Sequence, residues 1–290
     1  MTNLLVLDET KRHSELCRQV ERILEQVAPL VCKTTELELP SVVNFRLITP
    51  EQWQADSEAE LSGLVQRFRV KRPRWQGPAI RMVERVSMSQ FRKAAPLLGG
   101  VLVMGATTVG PAEQSTTMLV PEALQHSGIL SSPAYLAQLI SHELTHHAQN
   151  LASSHREVWA TKKPAAVLRA GTIKSLEEGH AYWADQEVTR LLFGESKDAS
   201  NIPESATSDA YKQARKDKRI TRMGSPRDIY KEGLNLVSPA VEAVGAATLN
   251  RVWTDLSLVP TRQEVKHPEL WAARLDRLSP VGTRASRSVG

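Results

Sequence analysis

The spacing of apolar residues predicts a long amphipathic helix near the start of the chain. Between residues 9 and 32, apolar side chains recur at helical intervals, which places them on one face. The segment 41–48 alternates enough to predict a strand. After it, Thr49-Pro50-Glu51-Gln52 has the order of capping residue, proline and glutamine that begins a helix, which we expect to run to about Val70. The apolar positions of the first helix are Leu16, Val20, Ile23, Leu24, Val27 and Leu30.

Two more strands are predicted before the pattern becomes helical. Residues 101–109 and 115–124 are rich in apolar and β-branched side chains. Gly110-Pro111 between them favours a turn. The N-terminal third therefore predicts a small sheet combined with helices.

Helical patterns dominate from Ser132 onward. Ser132 and Pro133 are the residue types of a helix start, and this helix should continue to about Leu151. Its apolar face carries Leu136, Ile140, Leu144 and Ala148. The later part of the chain predicts a helix over 175–193 that ends at Gly194, a polar loop or loosely packed insertion over 195–227, and further helices over 228–257.

These elements predict an α+β fold with a small mixed N-terminal sheet and a mainly α-helical C-terminal part. We divide the chain into an N-terminal α+β part over 1–130, a helical part with the candidate chemistry over 131–278, and a disordered tail over 279–290.

Composition and targeting signals are those of an ordinary globular protein. Of the 290 residues, 41% are hydrophobic and 24% charged, which argues against a disordered or fibrous chain. No stretch approaches the roughly 20 apolar residues of a membrane span. The start of the chain lacks the order of a secretory signal, so we expect a cytoplasmic protein without a membrane partner. Cys17 and Cys32 lie in or near one predicted helix, which disfavours a disulfide.

The formal net charge of +5 raises the question of nucleic acid binding. Two basic segments, RFRVKRPR and KQARKDKRITR, contribute most of it. No nucleic-acid-binding motif accompanies either segment, so we favour solvated helix faces or loops over a nucleic acid partner. The basic residues are Arg67, Arg69, Lys71, Arg72, Arg74, Lys212, Arg215, Lys216, Lys218, Arg219 and Arg222.

The helix predicted over 133–151 contains His142-Glu143-Leu144-Thr145-His146, an H-E-x-x-H sequence. Residues four apart on a helix lie about 40° apart around its axis and about 6 Å apart along it, so both imidazoles can reach one metal ion. Neutral imidazole suits zinc. Glu143 lies beside that face, where it can contact a water molecule without binding the metal, and His147 should flank the site. Two purely structural histidines are disfavoured because the apolar flanks would bury uncompensated polar groups.

A third protein ligand is expected, because catalytic zinc sites hold three and keep one position open. The segment SLEEGHAYWAD places Glu178, Tyr182 and Asp185 on one stripe of the next helix. Asp185 is then placed to accept a hydrogen bond from a ligand histidine, and the glycine after Glu178 lets a neighbouring helix approach closely. Spacing alone does not decide between Glu178 and its neighbour Glu177. A solvated acidic helix start is a further interpretation of this pair.

Taken together, SHELTHHAQN and LEEGHAYWAD resemble the glutamate-zincin (gluzincin) branch of the zinc metallopeptidases, in particular bacterial zincin-like proteins with E-G-H-A as second motif. IYKEGLNLVSPAVEAVG and VPTRQEVKHPELW are similar to the Tyr-x-x-Gly helix and the Pro-Thr…His-Pro ending of such proteins, so the resemblance covers roughly 130–275. It implies a zincin-like fold and one zinc ion held by His142, His146 and Glu178, with Glu143 as catalytic base.

The resemblance also implies hydrolysis of a peptide bond. Glu143 would take a proton from water and deliver it to the leaving amine. The oxyanion needs a further donor, for which His180, Tyr182, Tyr230 and His267 are the candidates. By analogy with zincin folds, the strand STTMLV would lie at the sheet edge over the active-site helix and pair with an extended peptide or protein substrate.

Two alternatives remain. The first is a zinc hydrolase that acts on a non-peptide amide, since a fold does not fix a substrate. The second is a non-enzymatic, zinc-stabilised binding module that contacts nucleic acid through the basic segments. Glu143 argues against the second alternative, because a purely structural site has no use for a base.

Overall fold

The N-terminal part of the chain forms a four-stranded sheet, as the alternating segments predict. The computed structural model describes residues 2–70, 77–110, 114–154, 164–221 and 226–278. The strands are β1 (Asn3–Asp8), β2 (Val42–Leu47), β3 (Gly105–Val109) and β4 (Ser115–Leu119). They lie in the order β1-β2-β4-β3; β1, β2 and β4 run parallel to one another, and β3 runs antiparallel to β4.

Helices form most of the rest, which confirms the α+β class and the mainly helical C-terminal part. The first four are α1 (Ser14–Thr35), α2 (Pro50–Val70), α3 (Gly77–Leu97) and α4 (Pro121–Ser127). The others are α5 (Pro133–Ala152), α6 (Pro164–Phe193), α7 (Asp209–Lys216), α8 (Lys218–Thr221), α9 (Pro226–Val244), α10 (Ala246–Leu249), α11 (Arg262–Lys266) and α12 (Pro268–Leu278). No helix in the described ranges is long and apolar enough to cross a membrane.

Local sequence signals place several elements correctly. Helix α1 buries Val20, Leu24 and Val27 on the face that the apolar spacing predicts. At the start of α2, the Thr49 amide donates to Gln52 Oε1 at 2.8 Å, and the Gln52 amide donates to Thr49 Oγ1 at 3.3 Å. This reciprocal pair is the capping box that the sequence predicts.

Other predictions of element bounds are wrong. Strand β1 precedes α1 and was not predicted, because its outward residues Leu5 and Leu7 are apolar and exposed and hide the alternation. No helix was predicted where α3 lies. The predicted strand 101–109 begins as a π-helical turn, Leu98–Leu102. The predicted strand 115–124 ends at Leu119, because Pro121 takes the first helical position of α4. Helix α6 begins at Pro164 rather than near 175.

The segment 195–227 is also more ordered than a polar composition suggests. It contains α7 and α8, and the Ser208 side chain accepts from the Tyr211 amide at 3.1 Å to cap α7. Basic side chains of this segment have acidic neighbours: Lys212 Nζ lies 3.6 Å from Asp209, and Arg219 Nη2 lies 2.8 Å from Asp217. The side chains of the other basic segment, residues 67–74, lie outside the described residues, as do Arg222, Pro111 and the tail 279–290.

The edges of the sheet are formed by β1 and β3, so the prediction that STTMLV forms an edge is wrong. Strand β4 pairs with β2 on one side and with β3 on the other. Its residues Ser115, Thr117 and Leu119 are buried. The strand that lies beside α5 with one unpaired side is β3, among the strands that the structure describes.

Three hydrophobic clusters fill the interior. The first packs α1, β2 and α5 together, with Val27, Phe45 and Ile140 fully buried in it. The second gathers the C-terminal helices around Trp253 and Trp271. The third lies under α2 and contains Trp53. The first cluster takes residues from both sides of residue 131, so α5 is anchored against the sheet. Cys17 and Cys32 are free.

Candidate metal centre

Helices α5 and α6 bring two imidazoles and one carboxylate together. Helix α5 is held between the sheet and α6, and nearly all residues of its second half are buried. His142 Nε2 lies 3.3 Å from Glu178 Oε2, and His146 Nε2 lies 3.7 Å from the same oxygen. One ligand atom from each residue lies within 4.8 Å of the others. This group could hold a metal ion.

The three donors fit a tetrahedral zinc ion. With bonds of about 2.0–2.1 Å, two ligands of a tetrahedral ion lie about 3.3 Å apart, close to the 3.3 Å between His142 Nε2 and Glu178 Oε2. Two histidines with one glutamate is also a donor set of catalytic zinc sites. Glu178, rather than Glu177, is the carboxylate beside the imidazoles.

His142 is oriented by a buried carboxylate, as the stripe on α6 predicts. Its Nδ1 lies 3.0 Å from Asp185 Oδ2, and Gln138 Nε2 donates to Asp185 Oδ1 at 3.0 Å. With the Nδ1 proton held by Asp185, Nε2 is the ring atom of His142 that a metal ion would bind in place of a proton.

His146 is oriented by an amide. Gln149 Nε2 donates to the Glu177 carbonyl oxygen at 2.9 Å, which fixes the amide because a carbonyl only accepts. Gln149 Oε1 therefore faces His146 Nδ1 at 2.8 Å and accepts its proton. The Nε2 lone pair of His146 is left for a ligand, as at His142.

In the metal-free cluster, burial and mutual hydrogen bonds shift the pKa values of the histidines and carboxylates. Burial lowers the pKa of His142, but hydrogen bonds to Asp185 and Glu178 outweigh it and raise the pKa to about 10. Burial raises the pKa of Glu178, but hydrogen bonds from both histidines bring it well below its usual value. Burial raises the pKa of Asp185 to about 6. A metal ion at these donors would thus replace protons on the imidazoles.

Glu143 lies beside the cluster and contacts the edge strand. Thr107 Oγ1, on β3, donates to Glu143 Oε2 at 2.7 Å. Glu143 Oε1 faces Gly105, where an added Cβ would lie 3.1 Å away. Glu143 is 5% exposed. It is not among the three residues whose ligand atoms lie within 4.8 Å of one another.

Of the predicted oxyanion donors, Tyr230 is brought to the cluster. Its ring packs edge-on against His142, with centroids 5.6 Å apart. Burial, followed by the nearby charges of Glu178 and Glu143, raises the pKa of Tyr230 well above its usual value. The Tyr182 ring lies 5.9 Å from the Tyr230 ring. The hydroxyl of Tyr182 is hydrogen bonded to Asp198 and Gln186, and its pKa is raised mainly by burial.

The other predicted histidines lie away from the three donors. His180 is fully buried against Trp183 and Trp253, and its Nδ1 lies 3.1 Å from Gln149 Nε2. Burial lowers its pKa to about 3. The His267 side chain is 58% exposed and lies 3.6 Å from Glu269. The structure does not bring either imidazole to the Glu143 carboxylate.

His147 flanks the site, as expected, on the sheet side. Its Nε2 lies 2.9 Å from Thr117 Oγ1, and its ring stacks on Phe45 with centroids 5.7 Å apart. Burial lowers the pKa of His147 to about 3, so the ring is neutral.

Three residues at the site were missed by sequence reasoning. Gln138 and Gln149 follow from helical spacing, since they lie four residues before His142 and three after His146. No local signal marks Thr107, because its contact with Glu143 depends on how β3 packs against α5.

Comparison with known proteins shows a shared fold. No protein-family model matches the sequence, and no curated protein matches it. A crystal structure from Chloroflexus aurantiacus, named as "a putative hydrolase with a novel fold", matches with a TM-score of 0.59 and 22% sequence identity. The match covers 92% of each chain, so the whole architecture described above recurs in that protein.

Proposed function

We propose that this protein is a zinc-dependent hydrolase of the gluzincin type, with a zincin-like fold, that cleaves a peptide bond. The observation that carries the proposal is the convergence of His142, His146 and Glu178, with the Glu143 carboxylate beside them but not among them. The solved structure of this fold that is named as "a putative hydrolase" agrees with the hydrolase part of the proposal.

The first three residues would hold the ion, and the residues around them define its chemistry. When bound, zinc lowers the pKa of water from 15.7 to about 7 and polarises a carbonyl group. Asp185 and Gln149 hold the two imidazoles with their Nε2 lone pairs turned to the site. Because Asp185 and Gln149 each accept the Nδ1 proton of one histidine, both rings keep Nε2 available to bind the ion.

Glu143 and Tyr230 would handle protons and charge during the reaction. Glu143 accepts a proton from water and returns it to the leaving nitrogen. The raised pKa of Tyr230 keeps its hydroxyl protonated, so that it can donate a hydrogen bond to a developing oxyanion. Tyr182 would support the Tyr230 ring rather than act itself.

The edge strand supports the choice of a peptide as substrate. Strand β3 is paired on its β4 side and, among the described strands, has no partner on the other. An extended peptide can add to such an edge through backbone hydrogen bonds. Such a peptide would run past Glu143, which contacts Gly105 and Thr107 of this strand.

The test is Glu143→Gln in the zinc-loaded protein, assayed against quenched fluorescent peptide libraries. We expect an unchanged zinc content and a loss of turnover of at least about 100-fold, because the amide cannot accept the proton. Glu187→Gln, at a half-buried position paired with Arg190, is the control and should keep full turnover. A fully active Glu143→Gln protein would refute the mechanism. Turnover of other amides without cleavage of any peptide would refute the substrate class alone.

A further inference from the structure

A chain of hydrogen bonds leads from Glu143 through Thr107 and Thr117, on two neighbouring strands, to His147. Thr107 and Thr117 are directly opposite each other on β3 and β4, and their hydroxyl oxygens are 2.7 Å apart. Thr107 Oγ1 lies 2.7 Å from Glu143 Oε2, and Thr117 Oγ1 lies 2.9 Å from His147 Nε2. Thr117 and His147 are fully buried.

A general base starts as a carboxylate, so the role proposed for Glu143 sets the direction of every bond in this chain. A carboxylate only accepts, so Thr107 donates its single hydroxyl proton to Glu143. Thr107 must then accept from Thr117, and Thr117 must accept from the Nε2 proton of His147. A second ring proton on His147 would sit on Nδ1, which is buried without a hydrogen-bond partner among the described residues. Every hydrogen bond in the chain therefore has its donor on the His147 side and its acceptor on the Glu143 side.

The two oxygens of Glu143 consequently differ. Oε2 is engaged by Thr107. Oε1 faces Gly105, two residues earlier on the same side of β3. An added Cβ at Gly105 would lie 3.1 Å from Oε1 and 3.2 Å from Leu119 Cδ2, so glycine leaves room beside this oxygen. Strand β3 thus binds Glu143 Oε2 through Thr107 and leaves space beside Oε1 at Gly105.

We propose that Thr107 is a positioning residue for the general base, and that the chain from His147 through Thr117 presents Glu143 Oε1 as the oxygen that takes the proton. This inference rests on the proposed function. In the reaction the O–H bond of water breaks, the proton goes to Oε1, and the water oxygen bonds to the carbonyl carbon, whose π electrons move to the carbonyl oxygen. When the C–N bond breaks, the proton passes from Oε1 to the leaving nitrogen.

The kinetic test compares Thr107→Val with Thr107→Ser in the zinc-loaded protein. Valine keeps the shape but removes the donor, and we expect kcat to fall about 10–100-fold, the cost of a misplaced catalytic group. KM and zinc content should stay within about twofold, and serine should restore most of kcat. Thr116→Val is the matched control, because Thr116 precedes Thr117 on β4 and points to the other side of the sheet; it should not change kcat. An unchanged kcat in Thr107→Val, or an equal loss in Thr107→Ser, would overturn the proposal.

Nitrogen-15 NMR of the His147 ring gives a readout that does not depend on turnover. In both the metal-free and zinc-loaded protein we expect the proton on Nε2 and none on Nδ1. Thr107→Val should speed exchange of this proton with solvent, while Thr116→Val should not. A proton on Nδ1 would overturn the chain's direction alone. A zinc-loaded protein that hydrolyses no amide would overturn the proposed function, and the role of Thr107 with it.

Discussion

Gln149 shows how a single amide can decide the state of a candidate ligand. Its nitrogen donates hydrogen bonds to the Glu177 carbonyl oxygen and to His180 Nδ1, and its oxygen accepts one from His146 Nδ1. Because the carbonyl of Glu177 only accepts, the amide cannot turn over without losing this bond. His146 is therefore held with its proton on the side away from Glu178. His180, which the sequence suggested as a candidate oxyanion donor, has its Nδ1 3.1 Å from the same amide nitrogen.

Replacing Gln149 by leucine should weaken zinc binding about 10–100-fold, the usual effect of losing a partner of a metal ligand. Competition with a chelator of known affinity measures it. Asn150→Ala is the matched control, since Asn150 is the next buried amide on α5 and donates to Ser115 rather than to an imidazole. Its zinc affinity should stay within about threefold. Equal losses in both variants would mean that general destabilisation, not the bond to His146, is responsible.

The residues of the site differ in how far sequence alone could identify them. His142, Glu143 and His146 follow from helical geometry, which is local. Glu178 and Glu177 are adjacent, so which carboxylate faces α5 depends on the rotation of α6 about its axis. That rotation is set by packing against α9, far along the chain, and spacing within α6 does not contain it.

At the scale of elements, α6 and α9 approach through two glycines. A Cβ on Gly179 would lie 2.2 Å from the Gly233 backbone, and one on Gly233 would lie 2.3 Å from the Ser175 carbonyl oxygen. No side chain fits between backbones this close. The contact fixes Glu178, which precedes Gly179, and Tyr230, one turn before Gly233. It confirms the sequence expectation that the glycine after Glu178 admits a neighbouring helix.

Gly179→Ala should lower the free energy of unfolding by about 1–3 kcal/mol, because the added methyl meets backbone that cannot rotate away. Gly63→Ala, in α2, is the control: an added Cβ there meets nothing within 4 Å. It should stabilise the protein by up to about 1 kcal/mol, since alanine restricts the unfolded chain. Urea unfolding measures both. A neutral Gly179→Ala would show that α6 and α9 separate easily, against the packing described here.

Strand order is the element-scale feature that the sequence did not reveal. The segment STTMLV has the composition of a strand, but composition does not say which strands pair on its two sides. Parallel pairing with β2 places β4 inside the sheet and leaves β3 at the edge. The function predicted for the edge strand therefore moves to Gly105–Val109.

At the scale of the whole molecule, the candidate metal centre joins the two parts predicted from the sequence. One side of α5 packs into the core shared with the sheet, through Ile140 and Leu144, and the other faces α6. The three donors and Glu143 all come from the helical part, while Thr107 on β3 donates to the Glu143 carboxylate from the sheet. The division at residue 131 therefore runs between the candidate site and the strand that supports Glu143.

Calorimetric titration of the metal-free chain with zinc tests most directly whether His142, His146 and Glu178 bind one zinc ion. We expect one ion per chain for the wild type and for Glu177→Gln. We expect Glu178→Gln to weaken binding by more than about 100-fold, beyond the loss usual for an outer partner. Failure of the wild type to bind zinc, or full affinity in Glu178→Gln, would contradict the assignment of these three residues as zinc ligands.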